Sequence, residues 1–290
     1  MDVILQMGVS GALMGLVYAL IAYGFQLTFA TSKSINFGQG ELVMLSAFIS
    51  LSLLNLGVPY WLMVPAGLLS GAILGLLVER FAVRLALEQK SEGWILMTII
   101  LGLFGFSAAE NIWGRDDQPF PTPISSDPLQ FFGINVTPVE LSVAIGVLAV
   151  MGLVELFKRK TLWGKAFEAV SADRDAAELM GISAKRTIML SYGLSGMVAA
   201  MAGILVSPIT TVGPTMASAL ILKAFSVAVV AGLESGFGVV LIGLLLGALE
   251  SLASFYIGSG WREAPGLLLL ILALAMKPNG VFGKATIRKV

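Results

Sequence analysis

Two places in this sequence set polar or charged side chains among apolar neighbours. The first is TSKSINFGQGELVM, residues 31–44, which interrupts long apolar runs. Gly38 and Gly40 permit unwinding. Asn36, Gln39 and Glu41 offer side-chain donors and acceptors. Transporters build solute sites from helices broken near mid-depth, where freed backbone groups face a polar cavity. An ordinary turn, with Glu41 favouring the first turn of the next helix, fits the same residues. The second place is Lys223 and Glu250, each inside an apolar run. Such charges are costly and either pair or mark a pathway. Both lie nearly equally far from a tight turn at 234–238, so at ~1.5 Å per residue their depths differ by only ~1.5 Å. An ion pair across that hairpin is one reading. Lys223 facing a pathway and drawing a carboxylate solute is the other.

Little else offers covalent chemistry. The chain has no His and no Cys, which removes the usual zinc ligands and the thiolate nucleophile. Every Asp falls in a loop or at a terminus rather than inside an apolar run. GVFGKAT, 280–286, has a Gly-Lys pair, but the spacing is wrong and Ala285 stands where a magnesium site needs Ser or Thr. No catalytic residue, metal site or cofactor is therefore expected.

A third stretch is charged and helix-forming: WGKAFEAVSADRDAAELMGISAKR, residues 163–186. Asp173 is placed to cap a short helix, with Asp175 in its first turn and Glu178 further along. Gly181 is placed to end it, with Ile182 making the accompanying apolar contact. Ala176, Ala177, Leu179 and Met180 make a small apolar face, and Trp163, Phe167 and Val170 do the same for the preceding piece. Neither piece is long enough to span a bilayer. Small knobs on a charged background suit a groove on a partner protein, and an interfacial helix lying on the membrane is the alternative.

These stretches must be carried by spans. The 290 residues are 57% hydrophobic and 12% charged, with mean hydropathy +0.91. Apolar runs of about 20 residues separated by short polar breaks predict a polytopic α-helical bundle. Runs near 3–30, 41–56, 59–83, 94–113, 138–157, 187–206, 215–233, 239–256 and 264–277 give about 8–9 spans, with a broken or re-entrant segment near 31–41. The start carries no basic stretch, so the first run is expected to stay as a span rather than act as a signal peptide. Of the 18 Lys and Arg, Lys223 lies in a span and Arg115 and Arg262 fall on one side. The rest gather on the side of the island 158–186. That bias predicts a cytoplasmic island and C-terminus, an outside N-terminus, and an external Pro-rich loop at 114–138. The pairs Gly11/Gly15, Gly71/Gly75 and Gly243/Gly247 predict close helix packing within the chain.

With these motifs in hand, the sequence resembles the inner-membrane permeases of branched-chain amino acid ABC importers. INFGQGELVMLSAF is similar to that family's signature near its first spans. ADRDAAELMGI followed by SYGLSGMVAAMAGIL is similar to its cytoplasmic loop and next span. LKAFSVAVVAGLESGFGVVLIGLLLGALE is similar to a third family region. Gln39, Ala231 and Glu234 depart from the residues common there. The resemblance implies one permease domain over 1–290, with residues 158–186 as the region that couples to an ATPase. It implies two ATP-binding subunits, a second related permease and an external solute-binding protein, with no nucleic acid. The solute would be a branched-chain or other amino acid, with urea, amides or aromatic carboxylates as alternatives. An ion-coupled secondary transporter is the rival class, and inverted repeats, none of them evident in the sequence, would favour it.

Overall fold

The computed structural model describes residues 2–89, 91–125, 127–131, 134–277 and 279–283. Lys90, Lys284, Arg288 and Lys289, which contribute to the charge bias, lie outside the described residues. Among the described residues the elements run α1 (Asp2–Ser32), α2 (Gln39–Asn55), α3 (Tyr60–Val78), a π-helical turn (Glu79–Val83) leading into α4 (Arg84–Glu88), and α5 (Trp94–Trp113). A hairpin of β1 (Leu129–Phe131) and β2 (Ile134–Val136) follows, with Gln130 opposite Asn135. Then come α6 (Pro138–Lys160), α7 (Leu162–Ala172), α8 (Arg174–Leu179), α9 (Ala184–Thr210), α10 (Met216–Ala231), α11 (Gly236–Tyr256) and α12 (Ala264–Met276). Seven helical stretches are long and apolar enough to cross a membrane, while α2 and α10 are apolar but shorter. The chain is a multi-pass membrane protein whose nine apolar elements match the nine runs of the sequence.

Local chemistry explains the helix boundaries. Pro138 opens α6 behind Thr137, whose hydroxyl accepts from the Glu140 amide while the Glu140 carboxylate accepts from the Thr137 amide. Lys158, Arg159 and Lys160 fill its last turn, where the helix dipole favours cations. Helix α1 stops because Lys33 takes φ of 54°, and α9 stops because Thr211 takes φ of 69°. These are the only non-glycine residues with positive φ among the described residues, and each immediately follows a long helix.

That coincidence marks a repeat. Long helix α1, an extended arm at 33–38, short α2, long α3 and then α5 correspond to long α9, an arm at 211–215, short α10, long α11 and then α12. The contacts correspond too: α3 packs on α9 as α11 packs on α1, and α5 on α2 as α12 on α10. The two sets run in opposite directions. Helix α1 starts beside the 114–138 loop, where Gln6 holds the backbone of Asn135, and α9 ends there, where Val212 bridges Gln118. Helix α6 with α7 and α8 joins the two halves.

The glycine pairs are the seams of this repeat. Gly11 and Gly15 of α1 lie against Gly243 and Gly247 of α11 so closely that a Cβ on any of them would overlap the other helix's backbone. Gly71 and Gly75 of α3 meet Gly196 and the Tyr192 carbonyl of α9 in the same way. Close packing inside one chain, as expected from the spacing, is what these pairs provide.

Candidate functional site

The first site element is the broken helix. After Lys33 the chain turns back into the bundle, so that Ser34, Asn36 and Gln39 are fully buried. Every polar group on this arm needs a partner there. Ser34 Oγ lies 2.9 Å from Tyr192 Oη and 2.6 Å from Ser32 Oγ. The Phe37 amide donates to Thr98 Oγ1 and the Gly38 amide to Asn36 Oδ1. Asn36 Nδ2 donates to Gln39 Oε1 at 3.2 Å, and Gln39 Nε2 to the Ser195 carbonyl at 3.4 Å. Ser195 Oγ in turn reaches the Gly24 carbonyl at 2.9 Å. Gly24 is eight residues inside the end of α1 and Ser195 eleven inside the start of α9, so α2 begins about 12–16 Å within the bundle.

The break is thus real, but its glycines do different work from that expected. Unwinding falls on Lys33. Gly38 has φ of −86°, and Gly40 is already helical. Gly40 is small because a Cβ there would sit 2.6 Å from the Ala217 carbonyl of α10. Helices α2 and α10 therefore touch at their first turns. Glu41 points to α5, beside Gly102, and its Oε2 is buried with no partner among the described residues. Asn36 and Gln39 lock the arm to α1 and α9.

The second element is the pair across the α10–α11 hairpin. Lys223 Nζ lies 3.0 Å from Glu250 Oε2, with the side chains 11% and 2% exposed. Tyr18 of α1 donates its hydroxyl to the same oxygen at 3.1 Å. Of the two readings of Lys223, pairing is what the geometry contains. Lys223 also borders a cavity of about 520 Å³ near the 114–138 loop.

The third element is the island. Thr161 caps α7, the Asp173 carboxylate accepts from the Ala176 amide at 3.0 Å to cap α8, and Gly181 with φ of 84° ends α8. The Ile182 amide closes back on the Ala177 carbonyl. Asp175 and Glu178 are exposed, as expected for a charged face. The expected apolar face divides in two. Ala177 is only 4% exposed, because it packs with Val170 and Ala184 to hold the island together. Phe167 is also buried, under the Lys158 ammonium, on the wall of a cavity of about 950 Å³ between α1, α6 and α7. Ala176 is exposed, and Leu179 and Met180 stand out at 89% and 83%. Polar partners that sequence reasoning missed are Tyr18, Ser34, Thr98, Tyr192 and Ser195. A serine pair one helical turn apart, Ser191 and Ser195, was the available signal on α9, while nothing local announces Tyr18.

With this geometry established, relatives are informative. LivH of Salmonella typhimurium, a high-affinity branched-chain amino acid transport system permease protein, is 28% identical over 99% of this chain and 97% of its own length. FrcC of Rhizobium meliloti, a fructose import permease protein, is 30% identical over 84% of this chain and 70% of its own length. A solved structure described as an inward-facing metal-chelate type ABC transporter shares the fold, with a TM-score of 0.51 at 17% identity over 93% of this chain and 85% of that one. The profile of the branched-chain amino acid transport system permease component matches residues 7–276, and the chain belongs to that family.

Proposed function

We propose that this chain is the permease subunit of an ATP-driven importer that moves a small polar solute, a branched-chain or other amino acid, by alternating access. It works with two ATP-binding chains, a second related permease and an external solute-binding protein. No covalent chemistry occurs on it. The island faces the cytoplasm, the 114–138 loop faces outside, the N-terminus is out and the C-terminus in, as the Lys/Arg bias favours.

The observation that carries this reading is the island. It is capped at both helices and anchored by Phe167 and Ala177, yet it holds Leu179 and Met180 out at 89% and 83% exposure. Large apolar side chains on a short charged helix beyond the spans fit a groove on another protein. Asp173, Asp175, Ala176, Glu178 and Gly181 shape that surface. Movement of the island would pass through α6 and α9 to the two inverted halves, whose short helices α2 and α10 touch at their first turns. The broken segment around Asn36, Gly38, Gln39, Gly40 and Glu41, with Lys223 at the far side, is then the region beside which the solute passes. The inverted repeat on its own also suits the rival secondary transporter, and the exposed island is what favours the importer.

Affinity purification from membranes tests the reading. Two ATP-binding chains should co-isolate, and ATP should drive uptake of labelled L-leucine into proteoliposomes when the binding protein is supplied. A chain that purifies alone and transports on an ion gradient would overturn it. The relationship to FrcC favours one second reading, a neutral sugar solute, so D-fructose, urea and benzoate belong in the same uptake assay.

A further inference from the structure

The end of the bundle that carries the 114–138 loop holds two neighbouring cavities, of about 520 and 400 Å³. Tyr18 and Arg262 border both. Lys223 borders only the first of these and Glu250 only the second, so the buried pair with Tyr18 stands as a partition between them. The charge around this vestibule is uneven. Asp117, Glu140, Glu250 and Glu263 supply four carboxylates against the two cations Lys223 and Arg262. Glu250 is 2% exposed, and while its Oε2 takes both Lys223 and Tyr18, its Oε1 is buried with no partner among the described residues. An ionised oxygen left so in an apolar span is unfavourable until a cation or donor reaches it.

We infer that this vestibule is a binding site for a solute bearing a primary ammonium group, which Glu250 receives, and that Arg262 takes the solute's carboxylate where it has one. The inference rests on the importer reading and narrows its solute: ammonium-bearing molecules enter, whereas simple carboxylates and neutral amides are disfavoured. Either cavity is large enough for a small amino acid, and Ser254 and Ser251 border the lobe with Glu250 and add hydroxyls.

The chain has no cysteine, so one introduced thiol is a clean probe. Ser254→Cys in the full-length chain, with the chains that co-isolate with it, is labelled in nanodiscs with 2-aminoethyl and 2-sulfonatoethyl methanethiosulfonate. Each rate is normalised to that reagent's rate with a free thiol in solution. The cationic reagent should be favoured about tenfold at low salt, the effect of a nearby excess carboxylate at intermediate dielectric. Glu250→Gln should lower the preference several-fold. Glu263→Gln, on the exposed rim, should lower it less, and it keeps the test alive if the buried variant folds poorly. n-Propylammonium should protect the thiol and propionate should not. Equal rates for the two reagents, a preference that neither neutralisation changes, or equal protection by propionate would overturn the site. Labelling needs no transport, so it fails or succeeds independently of whether ATP-binding chains co-isolate.

Discussion

Breaking the Lys223–Glu250 pair should have unequal consequences on its two sides. Glu250 is the deeper partner, at 2% exposure against 11% for Lys223. Lys223→Met strands a carboxylate that keeps only the Tyr18 hydroxyl, and removing one partner of a buried pair costs about 3–5 kcal/mol. Glu250→Leu strands the lysine instead. Its long stem already borders the cavity shared with Asp117 and Glu263, so the ammonium can reach water and a carboxylate, and the cost falls to about 1–2 kcal/mol. The double variant leaves two apolar side chains of fitting size and one unpartnered Tyr18 hydroxyl, a residual cost of about 1 kcal/mol. The coupling between the two sites is then about 3 kcal/mol or more. Unfolding in mixed micelles of rising SDS content, followed by the fluorescence of the five tryptophans, measures each variant, and the folded fraction by size exclusion checks it. Additive losses in the double variant would refute the pairing argument. Lys223→Met with unchanged stability and lost transport would assign Lys223 to the solute path alone.

Four further outcomes are expected. Leu179→Asp or Met180→Asp should leave folding intact and uncouple ATP hydrolysis from uptake, because both side chains are almost wholly exposed. Ala177→Arg should instead destabilise the island itself, since a long side chain cannot replace the methyl packed on Val170 and Ala184, and protease cutting near residue 175 reads this out. Thr211→Gly should raise the melting temperature by a few degrees, equivalent to about 1 kcal/mol, because a β-branched residue is strained at φ of 69°, and no gain would mean the strain is absent. Gly15→Ala and Gly75→Ala should each lower folded yield through overlap with a facing carbonyl, by about 1–3 kcal/mol, whereas Gly8→Ala, with open space around it, should be neutral by the same yield assay.

Much of this protein was legible from periodicity and composition alone. Apolar run length marks spans because the hydrocarbon core forces backbone groups to bond within a helix. The capping residues Asp173 and Gly181 set the ends of α8 through bonds to their own neighbours, which depend on nothing distant. The equal depth of Lys223 and Glu250 followed from helical rise along one hairpin, and the 3.0 Å pair agrees with it. The glycine spacing likewise announced close packing within the chain.

Tertiary structure decided what depends on direction and on distant partners. Which side of α8 is buried was set by Val170 and Ala184 folding over Ala177, so a face that reads as one apolar patch became an internal staple and two outward knobs. Tyr18 joins Glu250 across 232 residues, a contact with no local signature. The unwinding at 31–41 reads as a glycine effect, yet it is borne by Lys33, because the segment after it, with Ser34, Asn36 and Gln39 fully buried, is held by Tyr192, Thr98 and Ser195 from other helices. The inverted repeat was invisible for a related reason. The two halves share geometry rather than letters: a Lys in one and a Thr in the other take the same left-handed turn, and packing constrains the shape of each seam far more tightly than the residues that build it.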